Sequence, residues 1–281
     1  MPGSLSTAEG SLRVLVVAYP SPHNEYILGR LVKVAKVEKL LAPVWPHGPR
    51  RTVSWAYQRL RAAPLATAAK PGREAVLLRL EARLDRRVAK HLPKEEPSIF
   101  TAAERISTSD LNGDLGLSML RDIAPDLMIL SGAPLLQPRI FSLPSLGTVN
   151  VHWGISPNYR GQESIFTALR HGDYASIGAT LHYLDEGIDT GPALAQCWPS
   201  LDPTDDLGSI WAKTARLVAT MLTDFVDRLR LGAVSGQRLS GTGILVRARD
   251  CRVWHHIDYT VQRNLLHKNP PNTQGRIVRY W

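Results

Sequence analysis

Short apolar runs separated by polar or amphipathic stretches constrain this chain more than any other feature. Leu12 to Ala18 reads LRVLVVA, with Val14 to Ala18 apolar at every position, and Pro20 and Pro22 follow it. Apolar residues at consecutive rather than alternate positions fit a strand buried on both faces. LMIL at Leu127 to Leu130 has the same character. Such strands need cover on both sides, and the intervening segments supply it.

Glu25 to Lys36 carries Ile27, Leu28, Leu31 and Val34 at helical spacing, and Val37 to Val44 reads as a second strand. A helix is expected near Leu115 to Ala124, and another from Ser164 to Leu169. Thr148 to His152, Ile177 to Leu184 and Ala193 to Cys197 read as strands, and a long helix as spanning Leu207 to Leu231. Strands alternating with helices predict an α/β architecture: an open, mostly parallel sheet with helices on both faces. Ligands in such sheets collect beyond the carboxyl ends of the strands. The loops to inspect therefore follow Leu130, Val151 and Leu184. We expect residues 1–10 to be a loose tail and 11–231 a catalytic domain. A helical insertion at about 53–91 should break at Pro71-Gly72. Residues 232–281 should form a short C-terminal extension, with a hairpin and a packing helix.

The net charge of +9 is unevenly spread. Residues 1–110 hold 18 Lys and Arg against 10 Asp and Glu, and residues 212–281 hold 12 against 4. Residues 111–211 reverse the balance, with 4 against 11. A nucleic-acid protein should place its basic residues on the working surface. Here the basic stretches flank the segment richest in chemistry, so nucleic acid is not the expected partner. The basic flanks, including Arg79, Arg83, Arg86, Arg87 and Lys90, form a solvated helix face or steer an anionic ligand. Cys197 and Cys251 are the two cysteines. They make no CxxC and no metal cluster, and read as buried thiols in a reducing compartment. No signal peptide or membrane span is expected, which suits a cytoplasmic protein. The loop after the first strand, YPSPHNEY, has no GxGxxG. The chain also lacks GxxxxGK[ST], HExxH and GxSxG. Dinucleotide, P-loop, zinc-protease and ester-hydrolase chemistry lose support accordingly.

Asn150 and His152 are two residues apart, so both side chains leave one face of an extended strand. Asp189 lies in the turn-rich GIDTG loop after the next strand, which in a parallel sheet would reach the same strand end. An amide donor, an imidazole and a carboxylate suit acyl transfer: two to stabilise an oxyanion, one to orient the ring and take a proton. No Ser or Cys nucleophile stands beside them, which favours direct attack by an external amine. Any one of them alone is more often a cap, a satisfied polar group or a turn residue than a catalyst. His182 is read as a strand residue facing away or packing. His255 and His256 lack a carboxylate partner at useful spacing. Trp45, Trp55, Trp198, Trp211 and Trp254 are read as packing residues.

The stretch from about Leu127 to Gln196 resembles the 10-formyltetrahydrofolate-dependent formyltransferases, which include glycinamide ribonucleotide, methionyl-tRNA and sugar-amine formyltransferases. The resemblance rests on NVH at Asn150 to His152, SPNYRG at Ser156 to Gly161, and IDTG at Ile188 to Gly191. It implies a Rossmann-like fold, 10-formyltetrahydrofolate as co-substrate, no metal, and an amine acceptor. Asn150, His152 and Asp189 match the family's catalytic residues. Pro134, Leu135 and Leu136 match a loop holding the pterin ring, and Leu184, Asp185 and Glu186 match the second pterin-side loop. Trp153, Ser156, Tyr159 and Arg160 fall on the acceptor side. Arg160 fits a loop-fixing ion pair as well as a substrate contact. Trp153 to Pro157 departs from the Ser-Leu-Leu-Pro of many relatives, which leaves the acceptor open. The part after about Gly232 is shorter than the extra barrel domain of the tRNA enzymes, so a sugar-nucleotide amine or an amino-acid-type amine is expected. A hydrolase, a tRNA-directed enzyme and a non-catalytic folate-binding protein are the alternatives.

Overall fold

The computed structural model describes residues 12–44, 83–94, 97–247 and 274–281. The strands among them are β1 (Val14–Ala18), β2 (Val37–Val44), β3 (Glu104–Ser107), β4 (Leu127–Ser131), β5 (Thr148–His152), β6 (Tyr159–Gly161), β7 (Ala179–Tyr183), β8 (Ala193–Trp198), β9 (Ile244–Val246) and β10 (Arg276–Arg279). The helices used below are α1 (Pro22–Leu31), α2 (Thr108–Asn112), α3 (Asp114–Ile123), α4 (Pro138–Phe141), α5 (Ser164–Arg170) and α6 (Leu207–Arg230). Residues 83–91 are also helical.

The main sheet runs β10-β8-β7-β5-β4-β1-β2-β3, and β6 pairs with β9. From β3 to β5 every pairing is parallel. The expected mostly parallel sheet is therefore present, with one difference: β7 lies antiparallel to β5, and β8 antiparallel to β7. Parallel neighbours need a long crossover, whereas the short return between β7 and β8 admits only a hairpin. The loop after Leu184 thus leaves beside the start of β5 rather than its carboxyl end, with Leu184 N–H donating to the Thr148 carbonyl at 2.8 Å.

Side-chain alternation divides the sheet into two faces. Val14, Val16, Ala18, Val149, Val151, Ala179 and Leu181 join a core completed by α1 and α6. Leu15, Val17, Met128 and Leu130 point the other way, under Leu111, Leu120 and Ile140 of α2, α3 and α4. On that second face β5 and β7 break the apolar pattern with Asn150, His152, Thr180 and His182. The face toward α6 is mostly apolar; the other face turns polar at β5 and β7, where the chemistry sits.

α6 holds its face to the sheet through Ile210, Thr214, Val218, Met221, Phe225 and Leu229, a helical repeat of buried residues. Its start is fixed by a capping box, in which Asp206 accepts from Ser209 N–H and the Ser209 hydroxyl accepts from Asp206 N–H. At the other end of the sheet the Asn24 amide donates to the carbonyls of Tyr19 and Ser131 and accepts from the Ser131 hydroxyl. One buried side chain therefore ties the ends of β1 and β4 together.

Arg276–Arg279, as β10, extend the main sheet antiparallel to β8. Residues 1–10, 53–82 and 248–273 lie outside the described residues, as do Arg79, Trp45, Trp55, Cys251, Trp254, His255 and His256. Expectations for the tail, the Pro71-Gly72 break and most of the extension fall there. Cys197 is buried, as expected, and burial pushes its thiol up to about 12. Among the described residues no helix is long and apolar enough to cross a membrane.

Candidate active site

Asn150 lies directly opposite His182 in the β5–β7 ladder, and His152 opposite Thr180. All four therefore share one face. Asp189 is carried over them by the loop between β7 and β8, with its backbone in the left-handed region at φ +52. Aspartate tolerates that conformation better than most residues, and non-glycine residues held there cluster at functional sites. Asp185 shapes the loop: its Oδ1 accepts from Gly187 N–H at 3.1 Å and from the Thr190 hydroxyl at 2.6 Å.

The Asp189 carboxylate gathers the cluster. Its Oδ2 lies 3.2 Å from His152 Nδ1 and accepts from Gly161 N–H at 2.7 Å. Its Oδ1 accepts from Asn150 Nδ2 at 3.3 Å and lies 3.3 Å from His182 Nε2. Burial alone would raise the Asp189 carboxyl, but the charge interaction with His152, contacts with His182 and the Gly161 N–H together hold it well below the usual carboxylate range. That direction favours the ionised carboxylate at neutral pH.

His152 is only 5% exposed. Its Nε2 lies 2.8 Å from the Tyr159 carbonyl, while Nδ1 faces Asp189. Both ring nitrogens point at oxygen acceptors, an arrangement that only the imidazolium satisfies in full. Burial opposes that cation and sets the ring below its ordinary 6.5, against the pull of Asp189 and the Tyr159 carbonyl. A neutral ring with two acceptors waiting is primed to take up a proton. Two glycines permit this packing. A Cβ at Gly154 would stand 2.6 Å from His152 Nε2, and one at Gly161 2.2 Å from the Val246 carbonyl oxygen, at φ +84.

Asp189 therefore contacts both Asn150 and His152, reaching them across the sheet face rather than from a shared strand end. His182 corrects the sequence reading: it does not face away but contacts both Asn150 and Asp189. The missing signal was the β5–β7 register, which sets His182 opposite Asn150. His182 Nδ1 lies 2.7 Å from the Tyr183 carbonyl, which leaves Nε2 turned toward the cluster.

Of the acceptor-side residues, Tyr159 supplies its carbonyl to His152, and its hydroxyl lies 3.2 Å from His171 Nδ1. Ser156 donates its N–H to Thr180 Oγ1 at 3.0 Å. Trp153 stacks on Trp211 at 4.4 Å, with His23 edge-on at 4.7 Å. Much of its ring is engaged in packing. Arg160 forms no ion pair among the described residues, and its Nε is buried without a partner, so the loop-fixing ion pair is not what is seen. On the other side of the cluster, Leu136 and Leu184 pack against one apolar group with Leu130 and Met128. Pro134 is buried and Leu135 is 75% exposed. Asn112 fixes that loop, donating to the Leu135 carbonyl at 3.0 Å and accepting from Gln137 N–H at 2.8 Å. Glu186 is exposed. Among the described residues no group of three or more His, Cys, Asp or Glu side chains could hold a metal ion.

Comparison with known proteins adds a family. A family model described as formyl transferase matches residues 82–226. A methionyl-tRNA formyltransferase of Halorhodospira halophila is 31% identical over 158 residues, covering 54% of this chain and 51% of that protein. Another, from Stenotrophomonas maltophilia, is 37% identical over 114 residues, 40% of this chain and 37% of its own length. The chain thus spans about half, or less, of the length of these curated relatives. A solved sugar N-formyltransferase from a Shewanella species shares the fold over 95% of this chain and 96% of its own, at TM-score 0.56 and 14% identity. Glycinamide ribonucleotide transformylase 1 of Symbiobacterium toebii does so over 86% and 99%, at TM-score 0.53 and 17% identity.

Proposed function

Because this chain belongs to the formyl transferase family, we propose that the cluster around Asp189 moves a formyl group from 10-formyltetrahydrofolate to the amine of a small molecule. The observation that carries the reading is the Asp189 carboxylate, held at once by His152, Asn150, His182 and the Gly161 N–H. The co-substrate supplies the formyl carbon and a leaving nitrogen. Its pterin lies against Leu135, Leu136 and Pro134 on one side and the Leu184, Asp185 and Glu186 loop on the other.

The acceptor nitrogen attacks the formyl carbon, a new C–N bond forms, and the bond from that carbon to the folate nitrogen breaks. Asn150 Nδ2, whose two contacts are both long at 3.3 Å, turns a hydrogen toward the formyl oxygen as negative charge grows there. The Asp189–His152 pair takes the proton that the attacking amine loses and returns it to the departing folate nitrogen. While His152 holds that proton, its positive charge sits beside the same oxygen, and the Tyr159 carbonyl and Asp189 satisfy both ring nitrogens. Trp153, Ser156, Tyr159 and Arg160 border the acceptor, and the buried, unpartnered Arg160 Nε is a donor the acceptor can use. No metal takes part in this scheme.

The acidic balance of residues 111–211 favours a small acceptor, a sugar-nucleotide amine or an amino-acid-type amine, over a polyanion. Incubation with 10-formyltetrahydrofolate and a panel of such amines tests the reading. One of them should gain about 28 Da, the replacement of N–H by N–CHO. Formate release without any amine would instead mark a hydrolase, and tight folate binding without turnover a binding protein. The similarity to methionyl-tRNA formyltransferases favours a second reading, a tRNA-borne amine. A salt-dependent gel shift with tRNA would support it, and absence of binding at low salt would remove it.

A further inference from the structure

The polar face of the sheet continues past the cluster. Gln196 on β8 lies opposite Thr180 and is 3% exposed. Its amide Nε2 donates to the Ser156 carbonyl at 2.6 Å and to Thr180 Oγ1 at 3.1 Å. The Thr180 hydroxyl donates in turn to the Gly154 carbonyl at 2.7 Å and accepts from Ser156 N–H at 3.0 Å. What fixes the amide's orientation is Tyr280, just beyond β10, whose hydroxyl donates to Gln196 Oε1 at 2.6 Å. Every proton in the chain Tyr280, Gln196, Thr180, Gly154 runs one way without conflict, the arrangement in which hydrogen bonds reinforce one another.

The receiving end is the turn immediately after His152. Two carbonyls and one N–H of residues 154–156 are clamped by this chain. The same turn holds Tyr159, whose N–H donates to the Ile155 carbonyl at 3.0 Å, and the Tyr159 carbonyl faces His152 Nε2 at 2.8 Å. The C-terminal strand thus reaches the back of the His152 ring through a connected set of hydrogen bonds of 2.6 to 3.1 Å. No apolar packing argument requires a tyrosine hydroxyl there; phenylalanine would fill the same space.

We propose that Tyr280, acting through Gln196, is a positioning residue for formyl transfer: the C-terminal strand locks the 154–156 turn so that the Tyr159 carbonyl and Asp189 hold the His152 ring from opposite sides. This inference rests on the function proposed above. Removing the hydroxyl leaves Gln196 Oε1 a buried acceptor without a partner, a state proteins avoid. The amide is then free to turn, and its grip on Ser156 and Thr180 is lost.

The test is Tyr280→Phe in the full chain, assayed with whichever amine the panel identifies. The expected result is a fall in kcat of about 10-fold, with KM for 10-formyltetrahydrofolate changed by less than about twofold. In a Gln196→Leu background the same substitution should cost nothing further, because its route to His152 is already cut. A readout independent of activity follows the histidine ring itself. In ¹⁵N-histidine NMR spectra, the His152 signals, assigned by their loss in His152→Ala, should shift in Tyr280→Phe while those of exposed His91 do not. Unchanged kcat with unchanged His152 signals overturns the proposal, as does a full repeat of the kcat loss in the Gln196→Leu background. Where Gln196→Leu does not fold, the NMR comparison on the single variant decides. If the wild-type protein forms no N-formyl product, the function reading fails while the NMR result still judges this inference.

Discussion

Gly154→Ala adds one methyl group behind His152 and tests whether the ring's position matters to turnover. The new Cβ would stand 2.6 Å from His152 Nε2 and 2.4 Å from Ser164 Cβ, against an ordinary contact of at least 3.4 Å. To restore that contact the ring must retreat by about 0.8 Å from the β-carbon. A retreat of that size breaks the 2.8 Å contact with the Tyr159 carbonyl or the 3.2 Å contact with Asp189. Misplacement of a reacting group by about 1 Å costs on the order of 100-fold in rate. The overpacking itself costs about 1–3 kcal/mol of stability. Single-turnover formyl transfer at saturating co-substrate, beside thermal unfolding, separates the two effects. A double variant, Gly154→Ala with Ser164→Gly, removes the second clash and leaves the one with His152. It should recover stability but not rate. Wild-type turnover in Gly154→Ala, or full rescue of rate in the double variant, would refute the claim that His152 is held in a reactive position.

Asn150→Ala and His152→Ala should each lower turnover by about 100- to 1000-fold with unfolding curves still cooperative, as purified-protein kinetics and circular dichroism would show. The scheme needs His152 unprotonated in the resting site, and burial sets its pKa below 6.5, so the unprotonated form persists as pH falls through 6.5. The acid limb of the kcat/KM profile should therefore lie below pH 6.5; a limb above that value would contradict the assignment. Phe225, fully buried between α6 and the sheet and edge-on to Tyr183 at 6.4 Å, should cost about 3–5 kcal/mol when replaced by Ala, read from urea unfolding.

Much of this arrangement was legible before the structure because it is local. The run at Val14 to Ala18, the polar pair Asn150 and His152 two residues apart, and the glycine-flanked Asp189 each carry their meaning within a few residues. What escaped depends on contacts distant in sequence. His182 looks like an ordinary strand residue until the β5–β7 register is known, and nothing within IGATLHYL states that it stands opposite Asn150. Arg160 sits in a recognisable motif, yet whether its guanidinium meets a carboxylate depends on which acids surround it. Trp153 follows the reactive His152 directly, which suggests the cleft, but Trp211 on α6 takes up one face of its ring. Tyr280 and Gln196 lie 84 residues apart, and only the β8–β10 pairing brings them together.

The most direct test replaces Asp189, which Asn150, His152, His182 and the Gly161 N–H all contact. Asp189→Asn keeps the shape and removes the charge that holds His152. With ¹³C-formyl-labelled 10-formyltetrahydrofolate, the wild-type protein should deliver the label to an amine, and the Asp189→Asn protein should do so at least about 100-fold more slowly with folate binding retained. Equal delivery of label by the two proteins would contradict the account.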